Sequence, residues 1–539
     1  MIAKRMERLA PSGIRKMNEK ALEMERAGEP VLHFEIGRPD FDTPEYIKKA
    51  CIDSITAGDV FYTSNFGILP LREAIANKLR TQNKIDCKAS EIIVSVGLTE
   101  AVYDVLCSIL DEGDEILVPD PVWINYMNVP KLLGAVPVSY HLREENDYQI
   151  DLDEIKNSIT DKTKAMVIIT PNNPTGGVLS ESVLTELARL AVENDILVLA
   201  DEVYERLIYD GEKHISIASL PGMKERTVTL NGFSKAYSMT GWRLGYAAAP
   251  ESLIAVLNKI HQHNTTCATS FVQQAAVAAL RDEKDEVNGM VREYQRRRDY
   301  AVGAINRIKG ISCLCPKGAF YIFINIKKLG RPSAEVAEYL LNEAKLAFVP
   351  GDVFGPEGEG YLRMSFANSY ENIVEGCGRL KRAVEKLSKC KFPLRQYSLI
   401  ARLPDNGTAD AESPAPVYHG RLRSQFLSPV RPLQEPEGTV HRNMAAAVVS
   451  RQQAGGYLRH NEHKASVNAL HRIQRDGGDG CGDTGLILCK HCSFNIVVNH
   501  KVICLIRLFQ LFFVIHSFKS FPIIMYSSYM IYGSSSSFL

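Results

Sequence analysis

The segment NGFSKAYSMTGWRLGY (231–246) sets one lysine among small residues and places an arginine eight positions later. A lysine that bonds covalently to an aldehyde must be unprotonated at neutral pH, and burial together with nearby cations favours the neutral amine. An apolar strand leads into Lys235, and Arg243 follows it. The Ser234 hydroxyl and the Arg243 guanidinium are donors suited to a phosphate group. The segment therefore predicts a lysine that takes the aldehyde of a flat, anionic cofactor, in place of a solvated loop lysine.

A second charged residue, Asp201, ends the apolar run ILVLAD. A carboxylate at the end of a buried strand is unfavourable unless it meets a cation. A pyridinium N–H is such a cation, and a charged hydrogen bond of about 1.5–3 kcal/mol keeps the ring protonated as an electron sink. Capping of the next helix is the alternative role for Asp201. Tyr204, three residues later, is placed to bond the ring oxygen. Lys235 and Asp201 together predict pyridoxal 5'-phosphate as the cofactor.

Two further motifs offer groups that bind a carboxylate. The turn PNNPTGG (171–177) is made rigid by Pro and Gly, and its Asn173 is expected to face both the ring oxygen and a substrate carboxylate. Arg363, in YLRMSFAN, offers a planar fork that pairs with a carboxylate through two hydrogen bonds. Gly37, in EIGRPDF, lets the backbone approach the same group. These residues predict a site for the α-carboxylate of an amino acid.

The remaining candidates concern the phosphate and the ring of the cofactor. The run SVGLTE places Gly97, Leu98 and Thr99 at a helix start, where free N–H groups and the helix dipole attract phosphate. Trp123 is expected to stack on the ring, with a core aromatic as the alternative. Tyr62, in FYTSNFG, is a further phosphate candidate that would reach across a dimer interface.

The elements that carry these residues alternate between apolar strands and amphipathic helices from about residue 70 to 250. Continuous apolar strands between helices predict a largely parallel sheet covered on both faces, whose ligands collect at the carboxyl ends of the strands. A long helical stretch at 270–309 then leads into a smaller α+β region. The predicted strands of the first region are 91–97, 115–120, 164–170, 196–201 and 226–232.

The expected organisation has four parts. Residues 1–45 pack with the smaller region, residues 46–295 form the large cofactor-binding domain, and residues 296–390 form the small domain. Residues 391–539 are expected to be a mostly disordered, low-order extension, fused or read-through, because residues 401–485 are rich in Pro, Gly and Arg and have weak periodicity. A pair of cysteines in this extension, Cys489 and Cys492, lacks a properly spaced second pair, so no metal site is predicted.

The composition excludes several classes of partner. The chain carries 63 basic and 63 acidic residues, so its charge does not indicate nucleic acid or an anionic membrane. The apolar run at 502–516 is too short for the roughly 20 residues of a membrane span. Twelve scattered cysteines are typical of free thiols in a reduced compartment, and the first residues lack the apolar stretch of a signal peptide. We expect a cytoplasmic enzyme.

The order and spacing of these motifs closely resemble the class I/II aminotransferases of pyridoxal-phosphate fold type I, in particular the bacterial and archaeal aspartate/aromatic branch. The resemblance covers about residues 1–388. It implies a seven-stranded, mostly parallel sheet, a smaller α+β domain and a homodimer with active sites between subunits. It also implies that Lys235 is the catalytic Schiff-base lysine, that Asp201 lies at the pyridine nitrogen, and that Asn173 and Arg363 contact substrate and ring.

Two positions depart from the pattern of this family. Many bacterial aspartate-specific relatives carry lysine where this chain has Thr99, and that lysine meets the distal carboxylate of the substrate. Threonine makes no such ion pair, so aspartate, aromatic and other neutral donors all stay open. Gly232 replaces a serine that some relatives use for phosphate, and Ser234 is expected to compensate.

The sequence thus predicts an aminotransferase that moves the amino group of an L-amino acid to a 2-oxo acid, with 2-oxoglutarate as the expected acceptor. A lyase that eliminates sulfide from cysteine-type substrates on the same fold is one alternative. A non-catalytic binding protein that keeps the fold is the other, and the complete set of Lys235, Asp201, Asn173 and Arg363 argues against it.

Overall fold

The computed structural model describes residues 2–9, 12–282 and 284–389, and two short strands farther along, Leu486–Ile487 and Ile496–Val497. The described residues up to Lys389 belong to one compact unit. The two short strands pair antiparallel and belong to a second unit. The rest of the predicted extension at 391–539, including its cysteine pair, lies outside the described residues.

The first unit contains strands and α-helices in alternation. Its strands are β1 (Leu32–His33), β2 (Ile92–Ser95), β3 (Glu115–Asp120), β4 (Val136–His141), β5 (Thr163–Ile169), β6 (Leu197–Asp201), β7 (Thr227–Gly232), β8 (Gly245–Ala248), β9 (Tyr321–Asn325), β10 (Leu346–Ala347), β11 (Val349–Pro350) and β12 (Tyr361–Ser365). Its helices are α1 (Gly13–Arg26), α2 (Glu45–Ala57), α3 (Leu69–Thr81), α4 (Leu98–Ile109), α5 (Asn125–Leu133), α6 (Leu152–Ser158), α7 (Glu181–Glu193), α8 (Glu251–Asn264), α9 (Ser270–Arg281), α10 (Glu286–Ile305), α11 (Ser333–Ala344) and α12 (Tyr370–Lys389).

Seven strands form the large sheet in the order β2-β8-β7-β6-β5-β3-β4. Strand β8 runs antiparallel to both of its neighbours, and the other pairs are parallel. The inner strands β5, β6 and β7 are buried along almost their whole length, because helices cover both faces of the sheet. The predicted seven-stranded, mostly parallel sheet is confirmed.

A smaller antiparallel sheet, in the order β11-β12-β9, follows in the chain. Its middle strand carries Arg363, which lies opposite Phe323 on β9 and Val349 on β11. The segment before the first βα unit joins this part of the structure, because Leu32 on β1 pairs with Leu346 on β10 in parallel. The domain boundaries at residues 45 and 295 stay a prediction.

The elements differ from the sequence-based expectations at three places. Strands β4 and β8 were not among the predicted ones: β8 spans only four residues at 245–248, and β4 is only half buried because it lies at the sheet edge. The stretch at 270–309, expected as one helix, forms α9 and α10 instead. The break falls in the acidic run around Asp285, and acidic residues favour the start of a new helix.

The described residues include free cysteines and helices that can be compared with the expectations from composition. Seven described cysteines are free thiols. None of the described helices is both long and apolar enough to cross a membrane.

The contact between Phe34 and α12 allows a test of how the N-terminal segment packs against the rest of the first unit. Phe34 is fully buried and stacks on Phe348 with ring centroids 5.6 Å apart. A Cβ on Gly376 of α12 would lie 2.5 Å from the Phe34 ring. We expect Gly376→Ala to lower the free energy of unfolding by about 1–3 kcal/mol, because the core has no room for the added methyl group. Urea unfolding measures the difference.

The matched control is Gly378→Ala on the same helix. A Cβ there would meet no side chain closer than Arg382, whose Nη1 lies 3.5 Å away. This substitution should stabilise the protein by about 0.5–1 kcal/mol, since alanine is the better helix former. Equal effects of the two substitutions would contradict the packing described for Phe34.

Candidate active site

A cavity of about 480 Å³ opens at the carboxyl ends of β5, β6 and β7. Its size is within the range of small-molecule sites. Most of the residues singled out from the sequence line this one cavity, and Tyr62 and Gly97 are the two that do not. Those that line it are Gly37, Leu98, Thr99, Trp123, Asn173, Asp201, Tyr204, Ser234, Lys235, Arg243 and Arg363.

Lys235 follows β7 and points its amine into the cavity. The Nζ atom donates a hydrogen bond of 2.6 Å to the carbonyl oxygen of Gly37. It also lies 5.7 Å from the centroid of the Tyr204 ring. Burial lowers the pKa of Lys235 to about 8, and the positive charges of Arg363 and Arg243 act in the same direction. A sizeable share of this amine is therefore neutral near physiological pH.

Asp201 is the last residue of β6 and is almost fully buried. Its carboxylate accepts hydrogen bonds from Tyr126 Oη at 2.9 Å and from the backbone N–H of Val203 at 3.2 Å. Burial raises the pKa of Asp201 to about 6, and these two hydrogen bonds and the charge of Lys235 oppose the rise. The carboxylate thus sits in the cavity wall without a cation in direct contact among the described residues.

Arg363 lines the cavity and is almost fully buried. Its Nη1 donates to the side-chain oxygen of Asn173 at 3.0 Å, and its Nη2 donates to the carbonyl of Glu35 at 2.6 Å. The guanidinium stacks on the Tyr321 ring at 4.4 Å. Burial lowers the pKa of Arg363, yet a guanidinium keeps its charge in proteins. Its Nε is buried and has no partner among the described residues, so one donor is free to bind a carboxylate.

Two tyrosines connect the large sheet to the smaller one. Tyr204 Oη and Tyr321 Oη lie 2.8 Å apart, and both rings are buried. A Cβ on Gly37 would come within 2.1 Å of the Tyr321 hydroxyl. Position 37 therefore requires glycine for a steric reason, since any side chain there would displace Tyr321 from the cavity wall.

The N-terminus of α4 and Arg243 meet at another wall. Gly97 caps this helix with a φ of +77°, a conformation that favours glycine. A Cβ on Gly97 would lie 2.2 Å from Arg243 Nη2, so the guanidinium rests directly against the helix start. Leu98 and Thr99 begin the helix, and their free N–H groups add to the positive end of the helix dipole. This wall is suited to an anion.

Aromatic residues form a further part of the wall. Trp123 is half-buried and packs edge-to-face on Tyr126 at 5.8 Å, with planes 78° apart. Sequence reasoning missed Tyr126 and Tyr321, because nothing in their local sequence distinguishes them from core aromatics.

Tyr62 behaves differently from the other candidates. Its side chain is 89% exposed and does not line the cavity of its own chain. Phe61 beside it is 80% exposed and Val60 is 54% exposed. Three consecutive apolar or aromatic side chains therefore lie on the surface of the described chain.

Sequence reasoning also missed a buried polar cluster, which includes two acidic residues that follow Asp201 in the sequence. Glu205 forms an ion pair with Lys78, and Asn83 Nδ2 donates to the Glu205 carboxylate at 2.6 Å. Glu202 is paired with His214 at 3.1 Å. Lys78 offsets the charge of Glu205, and His214 offsets that of Glu202 when it is protonated.

Comparison with known proteins places this geometry in a family. Residues 29–380 match the family described as aminotransferase class I and II. The chain is 43% identical over 388 residues to aromatic-amino-acid aminotransferase 2 of Thermococcus litoralis, a match that covers 71% of this chain and 98% of that relative. It is 45% identical over 385 residues to the aspartate aminotransferase of Pyrococcus abyssi, with the same two shares covered.

The chain belongs to the class I and II aminotransferases. The crystal structure of the aromatic aminotransferase from Pyrococcus horikoshii agrees with this assignment, with a TM-score of 0.65 and 43% identity over 68% of this chain and 99% of that one. The predicted transfer of amino groups is confirmed, and the substrates of this aminotransferase are amino acids and 2-oxo acids. The relatives' names include both aspartate and aromatic amino acids, so they do not single out one donor.

The length of the match yields a prediction about the residues that follow Cys390. Every residue that lines the cavity lies between Ile14 and Arg363, and the two relatives are covered over 98% of their own length. We therefore expect a chain that ends at Cys390 to transfer amino groups at the rate of the full chain. Steady-state kinetics of the two proteins provide the comparison. The expectation would be contradicted if the purified short chain were inactive although its circular dichroism spectrum showed that it is folded.

Proposed function

We propose that this aminotransferase works with pyridoxal 5'-phosphate bound covalently to Lys235. The observation that carries the proposal is the convergence in one cavity of a lysine with a lowered pKa, a buried carboxylate and an anion-binding helix start. These are the three groups that pyridoxal 5'-phosphate needs for its aldehyde, its ring nitrogen and its phosphate.

The residues of the cavity fit this cofactor at each of its polar atoms. The Asp201 carboxylate, which lacks a cation, would pair with the protonated ring nitrogen. Tyr204 and Asn173 would bond the ring oxygen, and Trp123 would stack on the ring face. The phosphate would take the N–H groups of Leu98 and Thr99 together with Ser234 and Arg243. The N–H of Gly97, also predicted for the phosphate, instead donates to the Ser95 carbonyl at 2.9 Å.

The chain's own residues then orient and deprotonate the substrate. When bound, the cofactor provides an aldehyde that joins to the substrate amine and a protonated ring that withdraws electrons from Cα. Arg363 holds the α-carboxylate with its free Nε–H, and Asn173 fixes the guanidinium in place. The Nζ of Lys235, free once the substrate amine has taken its place on the aldehyde, would accept the proton from Cα. Because Arg363 holds the carboxylate, its loss as carbon dioxide is disfavoured.

The choice of donor rests on the far end of the cavity. Thr99 provides a hydroxyl without a charge, and Ile14, Leu98 and Trp123 add apolar surface. We propose that aspartate, aromatic and other neutral L-amino acids are all candidate donors. The proposed acceptor is 2-oxoglutarate, and the proposed location is the cytoplasm.

We also propose that two copies of the chain form the working enzyme. The exposed run from Val60 to Tyr62 has the apolar character of an interface. In a two-fold dimer this run would place the Tyr62 hydroxyl of each copy at the phosphate site of the other.

The covalent bond to Lys235 is open to a direct test. Borohydride reduction followed by peptide mass spectrometry should find the cofactor on Lys235 and nowhere else. Lys235→Ala should abolish amino transfer, because both the bond and the base are lost, yet it should still bind the cofactor noncovalently. Lys213→Ala, which removes an exposed lysine, is the matched control and should behave as the wild type. Full turnover by Lys235→Ala would overturn the assignment.

The pKa of Lys235 predicts the pH dependence of cofactor capture. Below a pH of about 8 the amine is mostly protonated and unreactive, so capture by the cofactor-free protein should speed up as the pH rises through about 8 and then level off. Arg363→Gln removes one of the cations that lower this pKa, so its midpoint should move to higher pH. Arg189→Gln, on the exposed face of α7, should leave the midpoint in place. Absorbance of the bound cofactor reports the rate, and equal midpoints would exclude a role of Arg363 in lowering this pKa.

A further inference from the structure

We propose that Arg38 binds the second carboxylate of a dicarboxylic substrate and provides a positive charge that Thr99, which lines the same cavity, does not. The inference rests on the proposed function, because it assigns a contact in the same cavity. It specifies the substrate class as amino and 2-oxo acids with two carboxylates, such as 2-oxoglutarate.

The position of Arg38 places its side chain at the entrance of the cavity. Arg38 lines the cavity and is exposed. It directly follows Gly37, whose carbonyl accepts the hydrogen bond from Lys235 Nζ at 2.6 Å. The backbone of Arg38 is thus one residue away from the reacting amine. Ile14, from the same N-terminal segment, lines the cavity as well and offers an apolar surface to a substrate chain.

The guanidinium of Arg38 is available for a ligand. The acidic side chains nearest to it in sequence are already engaged: Glu35 pairs with His33 at 2.8 Å, and Asp40 accepts two hydrogen bonds from Arg297 at 2.8 and 2.9 Å. Among the described residues no carboxylate forms an ion pair with Arg38. An arginine at the mouth of a binding cavity with no partner of its own is well suited to a ligand carboxylate, which it binds through two parallel hydrogen bonds.

The charges of the cavity lead to the same assignment. Four cations, Lys235, Arg243, Arg363 and Arg38, line it together with one acid, Asp201. In the proposed function Lys235 bonds to the cofactor, Arg243 binds the phosphate and Arg363 binds the α-carboxylate. Arg38 is the cation left over, and a second carboxylate on the substrate is the anion that balances it.

Thr99 explains why such a contact matters in this chain. A hydroxyl donates one neutral hydrogen bond and has no charge, so it discriminates weakly between a carboxylate and a methyl group. Arginine at position 38 restores the discrimination from a different wall of the cavity. An exposed arginine also has room to turn away when an uncharged side chain enters, so the site stays compatible with neutral or aromatic donors.

The experiment compares two acceptors that differ only at the distal end, 2-oxoglutarate and 2-oxopentanoate, with one common donor. We expect the wild type to prefer 2-oxoglutarate. Arg38→Gln should lower kcat/KM for 2-oxoglutarate by about tenfold or more, mostly through KM, and leave 2-oxopentanoate unchanged. Arg38→Lys should recover part of the loss, because it restores the charge without the fork. Inhibition by maleate, a dicarboxylate that cannot react, should weaken by the same factor in Arg38→Gln.

Lys16→Gln is the matched control, since it removes one exposed positive charge from the same N-terminal segment without altering the cavity lining. It should leave both acceptors and maleate inhibition unchanged. An equal loss for both acceptors in Arg38→Gln, an unaltered preference for 2-oxoglutarate, or a wild type that favours 2-oxopentanoate would each overturn the inference. These outcomes leave amino transfer itself intact, whereas a wild type that transfers no amino group would overturn the proposed function instead.

Discussion

A lysine amine held inside a cavity that also contains arginines is the constraint on which the site depends. Burial and the charges of Arg363 and Arg243 lower the pKa of Lys235 to about 8, and Asp201 opposes them. Without the arginines the amine would hold its proton more tightly, and without the acid it would be driven further toward the neutral form. The cavity therefore needs cations and an acid in one small volume, which no single element of the chain provides.

The fold meets this need by joining two sheets at one cavity. The parallel strands β5, β6 and β7 end side by side, so the residues that follow them meet at one edge. Arg363 comes from the middle strand of the smaller antiparallel sheet and lines the same cavity, where it donates a hydrogen bond to Asn173. The contact between Tyr204 and Tyr321 joins the two sheets again. Chemistry at this cavity thus depends on how the two parts of the first unit pack.

The relatives share this framework, but their names cover both aspartate and aromatic amino acids. The distal end of the cavity is where such enzymes can differ without disturbing the lysine. In this chain Thr99 provides no charge, whereas Arg38 brings a cation from the N-terminal segment. In the proposed assignment, specificity and catalysis are carried by separate parts of the chain, and this division would allow one to change while the other is kept.

Local sequence determined five of the seven strands of the large sheet and the groups at their ends. Lys235 and Asp201 stand out because a buried charge at the end of an apolar run needs a chemical reason, and that signal lies within a few residues. Only the tertiary structure decided the partners of these groups. Tyr126 donates a hydrogen bond to Asp201, 75 residues away in the sequence, and Arg363 donates one to the Glu35 carbonyl, 328 residues away. No pattern of local spacing encodes such pairings, because they arise from the packing of distant segments around one shared cavity.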